Sequence, residues 1–153
     1  MDSAFEIVLS TLAQKHQAMM AMTPITVDAL LKSMPASGVY MFSEGNSHLY
    51  VGRTRRLRRR LIEHSYPKML DAPFAFRLAR EAVGKTKASY MRRDSRKALL
   101  ADPVFVAARL KAIDRIRLMD IRYIEEDDPI RQTLLEIYVA VVTAAPYNEF
   151  KTS

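Results

Sequence analysis

An arginine-rich segment is the part of the sequence best suited to chemistry on an anion. Six arginines occupy the eight positions from Arg53 to Arg60. Leu57 and Leu61 lie four residues apart and mark the buried stripe of the helix that this segment predicts. Arg60 and His64 follow Leu57 by three and seven residues, so both lie on or beside that stripe. A charge on a buried stripe is costly unless a partner satisfies it, which predicts that an anion docks near Arg60.

The start of the same helix gives a second reason to expect an anion. Thr54 is the predicted cap residue, and it puts Arg53, Arg55 and Arg56 in the first turn, where the helix dipole disfavours cations. A docked anion would relieve that repulsion. For the outward-facing arginines, which include Arg59, a solvated face that aids solubility explains the sequence equally well.

The last predicted helix contains one unusual acid. Glu136 is the only charged residue between Gln132 and Asn148, and no Lys or Arg lies three or four positions away to pair with it. The carboxylate therefore either faces solvent, which spacing alone favours, or ligates a hard divalent cation such as Mg²⁺. Mg²⁺ needs few protein carboxylates when substrate phosphate completes its coordination.

Two tyrosines lie on a predicted β-hairpin. Tyr40 and Tyr50 are ten residues apart in the strands GVYMF (38–42) and HLYV (48–51), joined by a polar turn over 43–47. This spacing makes them candidate cross-strand neighbours. A single strand tyrosine is usually a packing residue with a tethered hydroxyl. Two tyrosines beside an arginine on a buried stripe indicate a functional site more strongly than one alone.

The remaining elements must hold these residues in place. A capping box at Ser3 and Glu6 predicts a first helix, and Thr26 predicts the cap of a short second one. Beyond the hairpin and the arginine-rich helix, the sequence predicts a mainly helical stretch (65–116), a third strand (117–124) and a last helix that begins at Pro129.

This order of elements predicts an α+β fold: a small three-stranded antiparallel sheet flanked by helices. No internal repeat and no linker is evident, so we expect a single domain over residues 1–153. Residues 1–33 form its N-terminal helical extension.

Composition narrows the class of partner. The net charge is +7, with 24 Lys and Arg against 17 Asp and Glu, which favours a polyanion such as nucleic acid, with an anionic membrane surface as the rival. There is no cysteine, so disulfides and thiolate metal sites are excluded. We expect no membrane-spanning helix and a cytoplasmic protein, because no long apolar run and no basic N-terminal signal is present.

Taken as an ordered set, the residues above closely resemble the signature of the GIY-YIG nuclease family. The resemblance extends from residue 38 to 148 and is carried by Gly38-Val39-Tyr40, Tyr50-Val51-Gly52, Arg60, His64, Glu136 and Asn148. Both central isoleucines of the family signature are valine here. The stretch between His64 and the third strand is longer than in compact members of the family.

The resemblance implies a metal-dependent DNA endonuclease with a catalytic core over residues 34–150. It implies that Glu136 binds Mg²⁺ (or Mn²⁺) and that Tyr40, Tyr50, Arg60, His64 and Asn148 complete the catalytic set, with Gly38 and Gly52 structural. Tyr40 would help to deprotonate the attacking water. A free phenol has a pKa near 10, so that role predicts nearby cations that lower the pKa.

No separate DNA-recognition domain is evident, so how a target is chosen stays open, and the basic residues of the chain are candidate DNA contacts. The candidates are the arginines of the predicted helix and the basic segment 85–97: Arg53, Arg55, Arg56, Arg59, Lys85, Lys87, Arg92 and Arg93. Two alternatives stay open: a module of the same fold that binds nucleic acid without cutting it, and a helical interaction protein. Monomer and homodimer are both compatible with the sequence.

Overall fold

The computed structural model describes residues 2–84 and 95–150, and they form an α+β fold. One antiparallel sheet has the order β2-β1-β3, built from β1 (Gly38–Glu44), β2 (Ser47–Thr54) and β3 (Asp120–Glu125). The helices are α1 (Ser3–Ala21), α2 (Leu57–Glu63), α3 (Pro73–Ala82), α4 (Arg96–Ala101), α5 (Pro103–Arg117) and α6 (Pro129–Thr143), with a 3₁₀ turn at Val27–Ala29. The predicted fold class, with its three-stranded antiparallel sheet flanked by helices, is confirmed.

The described residues divide into two compact units. The sheet unit takes in the chain up to Leu61 and from Met119 onward, and it contains all three strands with α1 and α6. The helical unit runs from Ile62 to Leu118 and contains α3, α4 and α5. No helix in the described part of the chain is long and apolar enough to cross a membrane.

The β1–β2 hairpin is tighter than its sequence predicts, because both strands extend into the polar stretch. Only Gly45 and Asn46 separate them, and Gly45 has a positive φ of 59°, which glycine adopts without strain. The register shifts by one residue between Phe42, opposite Tyr50, and Ser43, opposite His48. Leu49 is therefore the extra residue of a β-bulge in β2.

Alternation along the strands gives the sheet two distinct faces. Val39 and Met41 of β1 and Val51 of β2 are fully buried in one core cluster. Helices α1 and α6 cover that face with buried apolar side chains: Leu12, Met19, Leu135, Val139 and Ala140. Tyr40 and Phe42 of β1 lie on the opposite face, because neighbouring residues of a strand point to opposite sides.

Three local predictions need correction. Helix α1 is capped by Asp2, whose Oδ1 accepts from the Ala4 amide at 2.9 Å, and not by the Ser3 capping box. Thr26 precedes a 3₁₀ turn without a side-chain cap, so the second helix is shorter than predicted. Strand β2 extends to Thr54, which leaves Arg53 in the strand and starts helix α2 only at Leu57.

Other helix starts follow their sequence signals. Asp128 caps α6 and Asp102 caps α5, each by accepting a backbone N–H, and each is followed by a proline whose fixed φ suits the first turn. Ser95 caps α4, a short helix that begins within the basic segment 85–97. At α2, the Leu57 amide donates to the Ala36 carbonyl at 2.8 Å, which satisfies one end-of-helix donor.

The helical unit has its own small core. Its buried side chains come from all three helices: Phe76, Ala79, Leu99 and Phe105. Arg109 is buried, and its two terminal nitrogens donate to the carbonyls of Pro67 and Met69, each at 2.9 Å. A buried guanidinium here therefore fixes the loop before α3, which is a structural role.

Candidate active site

The phenol of Tyr40 lies directly against the backbone of Gly52. The two residues are paired across β1 and β2. A Cβ on Gly52 would overlap the hydroxyl oxygen and Cζ of Tyr40, so no larger residue fits while the ring stays in place. Gly38 is restricted in a similar way, since a Cβ there would overlap the carbonyl oxygen of Ile124 in β3. Both glycines allow close backbone approach, and neither has a positive φ.

Tyr50 lies diagonally from Tyr40 on the same face of the sheet. Its direct partner is Phe42, and the rings of Tyr40 and Tyr50 have centroids 6.5 Å apart, tilted by 47°. Phe42 meets Tyr40 edge-on with a centroid distance of 5.9 Å. Both tyrosines are buried, so the sheet holds the two phenols side by side in a largely desolvated position.

Arg60 donates a side-chain hydrogen bond to the hydroxyl of Tyr40. Its helix is anchored by Leu57 and Leu61, which are fully buried, and Arg60 is half-buried one turn after Leu57. The position of Arg60 beside the buried stripe of α2 thus brings its guanidinium to the phenol of β1.

The electrostatics of Tyr40 differ from the sequence-based expectation. Burial raises the pKa of Tyr40 far above its ordinary value, and the nearby Tyr50 and Glu136 raise it further. Arg60 lowers the pKa but does not offset the burial. The prediction that neighbouring cations lower this pKa is wrong in its net direction, because desolvation is the larger effect. Tyr40 is a neutral phenol in this environment.

Glu136 extends from α6 to the outer edge of β2. Its carboxylate accepts a hydrogen bond from the backbone N–H of Arg53, and its Oε1 lies 3.8 Å from Nε of the same arginine. Burial raises the pKa of Glu136, and Arg53 partly offsets that rise. Spacing along α6 alone favoured a solvent-facing carboxylate, whereas this one is largely buried.

Asn148 bonds the same edge of β2 two residues earlier, at Val51. Its side-chain amide exchanges two hydrogen bonds with Val51: the Val51 N–H donates to Oδ1 at 2.8 Å, and Nδ2 donates to the Val51 carbonyl at 2.7 Å. The Tyr147 amide donates to the Leu49 carbonyl at 3.1 Å. The chain after α6 therefore covers the otherwise open edge of β2 at Leu49 and Val51, just before Gly52.

These contacts bring four side chains of the sheet unit together around Gly52. The ring of Tyr40 lies against the Cα of Gly52, and Arg60 donates a hydrogen bond to the hydroxyl of Tyr40. Glu136 and Asn148 are hydrogen-bonded to the residues on either side of Gly52, which are Arg53 and Val51. Glu136 also acts on Tyr40 electrostatically, as the smallest of the causes that shift the pKa of this phenol. Together with Tyr50, which lies beside Tyr40, the cluster combines a carboxylate, a side-chain amide, the guanidinium of Arg60 and two phenols.

Other predicted residues lie outside this cluster. His64 is buried and belongs to the helical unit, whereas the cluster belongs to the sheet unit. Arg55, Arg56 and Arg59 are exposed. Four predicted nucleic-acid contacts, Lys85, Lys87, Arg92 and Arg93, lie outside the described residues.

Arg53 is a member of the cluster whose role sequence reasoning missed. The segment predicts Arg53 at the start of a helix, so its pairing with an acid more than 80 residues away was not expected. The available signal was the alternation Leu49, Val51, Arg53, which continues the strand past Gly52.

The donor set fits a hard divalent cation only in part. Within the described residues, no group of three or more His, Cys, Asp or Glu side chains could hold a metal ion. Glu136 offers one hard oxygen ligand, and the raised pKa shows that Arg53 does not fully compensate its burial. A single carboxylate suits Mg²⁺, which takes its other ligands from water and substrate phosphate.

Comparisons with models of protein families, with curated proteins and with solved structures find no significant match to this chain. The geometry around Gly52 is therefore the main basis for assigning a function.

Proposed function

We propose that this protein is a metal-dependent endonuclease that hydrolyses phosphodiester bonds in DNA. One observation carries the proposal: Glu136, Arg60 and Tyr40, which are far apart in sequence, converge beside Gly52. A carboxylate that can hold a divalent ion and a guanidinium that can bind an anionic oxygen are the two charges that phosphodiester hydrolysis requires. The ordered resemblance to the GIY-YIG signature supports the same conclusion.

Each residue of the cluster has a role that follows from its contacts. Glu136 would hold the divalent ion, Mg²⁺ or Mn²⁺, which when bound supplies charge neutralisation at the scissile phosphate. Arg60 binds a phosphate oxygen and stabilises the charge that develops on it. Asn148 fixes the backbone of Val51, so that the carboxylate at Arg53 and the phenol at Gly52 keep their separation.

Tyr40 acts as a neutral hydrogen-bond donor in this proposal. Burial keeps its pKa high, so a phenolate that removes a proton from water is disfavoured. The hydroxyl oxygen already accepts from Arg60, and its proton is suited to orient the attacking water or a phosphate oxygen. Tyr50, 6.5 Å away between ring centroids, holds Tyr40 in place.

Basic residues supply the wider contact with DNA in this proposal. Arg55, Arg56 and Arg59 are exposed next to the cluster in sequence, and the net charge of +7 favours a polyanionic partner. Lys85, Lys87, Arg92 and Arg93 are proposed as further contacts. A cytoplasmic setting is part of the proposal and agrees with a chain that has no cysteine.

The decisive experiment is a panel of labelled DNA duplexes, flaps, junctions and single strands, incubated with Mg²⁺, Mn²⁺ or EDTA. We expect metal-dependent cleavage of at least one structure. Glu136→Gln should reduce the rate by about a thousandfold or more, because loss of preorganised charge stabilisation is costly. Glu125→Gln, an exposed acid on β3, is the matched control and should cut at the wild-type rate. Equal cleavage by the Glu136→Gln variant would remove the metal site from the proposal.

The ion pair between Arg53 and Glu136 favours one second candidate. If the pair keeps the carboxylate occupied, the protein binds nucleic acid without cutting it. The same panel distinguishes the two, since a salt-sensitive complex with no products in either metal would support the binding module.

A further inference from the structure

A second polar cluster lies at the other end of the β1–β2 hairpin. Ser43 is fully buried, and its hydroxyl is hydrogen-bonded to Nδ1 of His48 at 2.7 Å. The two residues are direct partners across the strands. Ser43 follows Val39 and Met41 at alternate positions, so it lies on the face covered by α1 and α6, opposite to Tyr40.

Arg122 of β3 lies on the same face, because its direct partner on β1 is Met41. The Nε and Nη1 atoms of Arg122 are buried and have no hydrogen-bond partner among the described residues. Buried guanidinium nitrogens without acceptors are costly, since they lose water without gaining a protein oxygen. The cost indicates that an acceptor from outside the described chain belongs beside Arg122.

His16 of α1 adds a third nitrogen donor to the cluster. Its ring is held edge-on by Tyr138 of α6 at a centroid distance of 5.8 Å, and its Nε2 is also buried without a partner in the described residues. Helix α1 packs against β3 and α6, which places His16 over the sheet face that carries Arg122. Burial, Arg122 and His16, in that order, lower the pKa of His48. The side chains of the cluster therefore come from three secondary-structure elements, and Arg122 gives it a fixed positive charge.

One acid belongs to the same row of the sheet. Asp120 is the partner of Ser43 on β3, two residues before Arg122. It does not bond Nε or Nη1 of Arg122, since both atoms lack a partner. Asp120 therefore leaves the arginine's buried nitrogens unsatisfied, and its charge works against an anion at this place.

We propose that His16, His48 and Arg122 form a binding site for a phosphate group, on the sheet face opposite to Tyr40. Donors approach this place from α1, β2 and β3, and a tetrahedral phosphate presents oxygens in several directions, whereas a carboxylate presents two in one plane. The site is independent of the endonuclease proposal. The phosphate can belong to a small phosphomonoester or to the backbone of a nucleic acid, which share this chemistry.

The test is a titration followed by NMR of the histidine ring signals. The chain has three histidines, and His64 of the helical unit serves as internal reference. The probes are inorganic phosphate, deoxyadenosine monophosphate and a short DNA duplex, each compared with chloride at equal ionic strength. We expect saturable shifts of His16 and His48 and none of His64, with a dissociation constant in the low millimolar range for inorganic phosphate.

Variants make the assignment specific. Arg122→Gln should weaken phosphate binding at least tenfold, while Asp120→Asn, its matched control in the same row, should leave it unchanged or strengthen it. Shifts with phosphate and the nucleotide assign the site to a phosphomonoester, and shifts with the duplex alone assign it to a nucleic-acid backbone. If His16 and His48 respond to none of the three probes in the wild-type protein, the proposal is overturned, whether or not the variants fold.

Discussion

The two polar clusters of the hairpin differ in how their charges are satisfied. Around Gly52, the carboxylate of Glu136 is bonded by Arg53, and the hydroxyl of Tyr40 is bonded by Arg60. Around Ser43, the buried nitrogens of Arg122 and His16 have no acceptor in the described chain. The first cluster sets a carboxylate near a guanidinium, which suits a metal ion and a phosphate together, whereas the unpartnered guanidinium nitrogens of the second cluster suit the oxygens of an anion. We therefore assign hydrolysis to the first and binding to the second.

The largest expected effect comes from exchanging one arginine in each cluster. Arg60→Gln should lower the cleavage rate by about 10²- to 10³-fold, because a preorganised donor to the phosphate is lost. Its His16 and His48 signals should still respond to phosphate. Arg122→Gln should show the reverse, with cleavage within about twofold of wild type and the phosphate response lost. Parallel losses of both properties in either variant would mean that the clusters are not separate.

A stability effect should distinguish the close packing at Gly52 from the turn at Gly45. Gly52→Ala inserts a Cβ against the buried ring of Tyr40 and should destabilise the fold by about 2–3 kcal/mol, in the range of overpacked cores. Gly45→Ala has open space and should cost about 1 kcal/mol, because only the positive φ is unfavourable. Urea unfolding measures both. A smaller cost at Gly52 than at Gly45 would contradict the described packing of Tyr40.

The smallest expected effect is a shift in pH dependence. Burial raises the pKa of Glu136 and Arg53 lowers it, so Arg53→Gln should raise it further. Because the carboxylate is the form that holds the ion, the acidic limb of the cleavage profile should then move to higher pH. Arg55→Gln, which changes an exposed arginine two residues away, should leave the limb unchanged. A shift of the limb to lower pH would show that Arg53 does not stabilise the carboxylate.

Local patterns predicted much of the first cluster. The two strand segments and the polar turn between them were sufficient to predict the hairpin, but not its register, because a β-bulge at Leu49 shifts the pairing and places Tyr40 opposite Gly52. The buried stripe of Leu57 and Leu61 was sufficient to place Arg60 at a half-buried position beside it. These signals are local, so a single sequence contains them.

What the sequence did not reveal depends on contacts between distant segments. Predicting the pairing of Arg53 with Glu136 requires knowing that β2 extends to Thr54. The run of arginines and the capping signal of Thr54 instead predicted that a helix starts there. The high pKa of Tyr40 is the balance of burial against Arg60, and no pattern gives that balance. The second cluster joins α1, the hairpin and β3, and neither His16 nor Arg122 has an unusual local context.

The central claim is that Glu136 and the Gly52 backbone border one metal and phosphate site. Paramagnetic broadening by Mn²⁺ tests it most directly, with ¹⁵N-labelled protein bound to a short phosphorothioate DNA duplex. The account predicts that the amide signals of Gly52 and Arg53 broaden at substoichiometric Mn²⁺ in the wild-type protein and stay sharp in Glu136→Gln. Sharp signals in both proteins, or equal broadening in both, would contradict it.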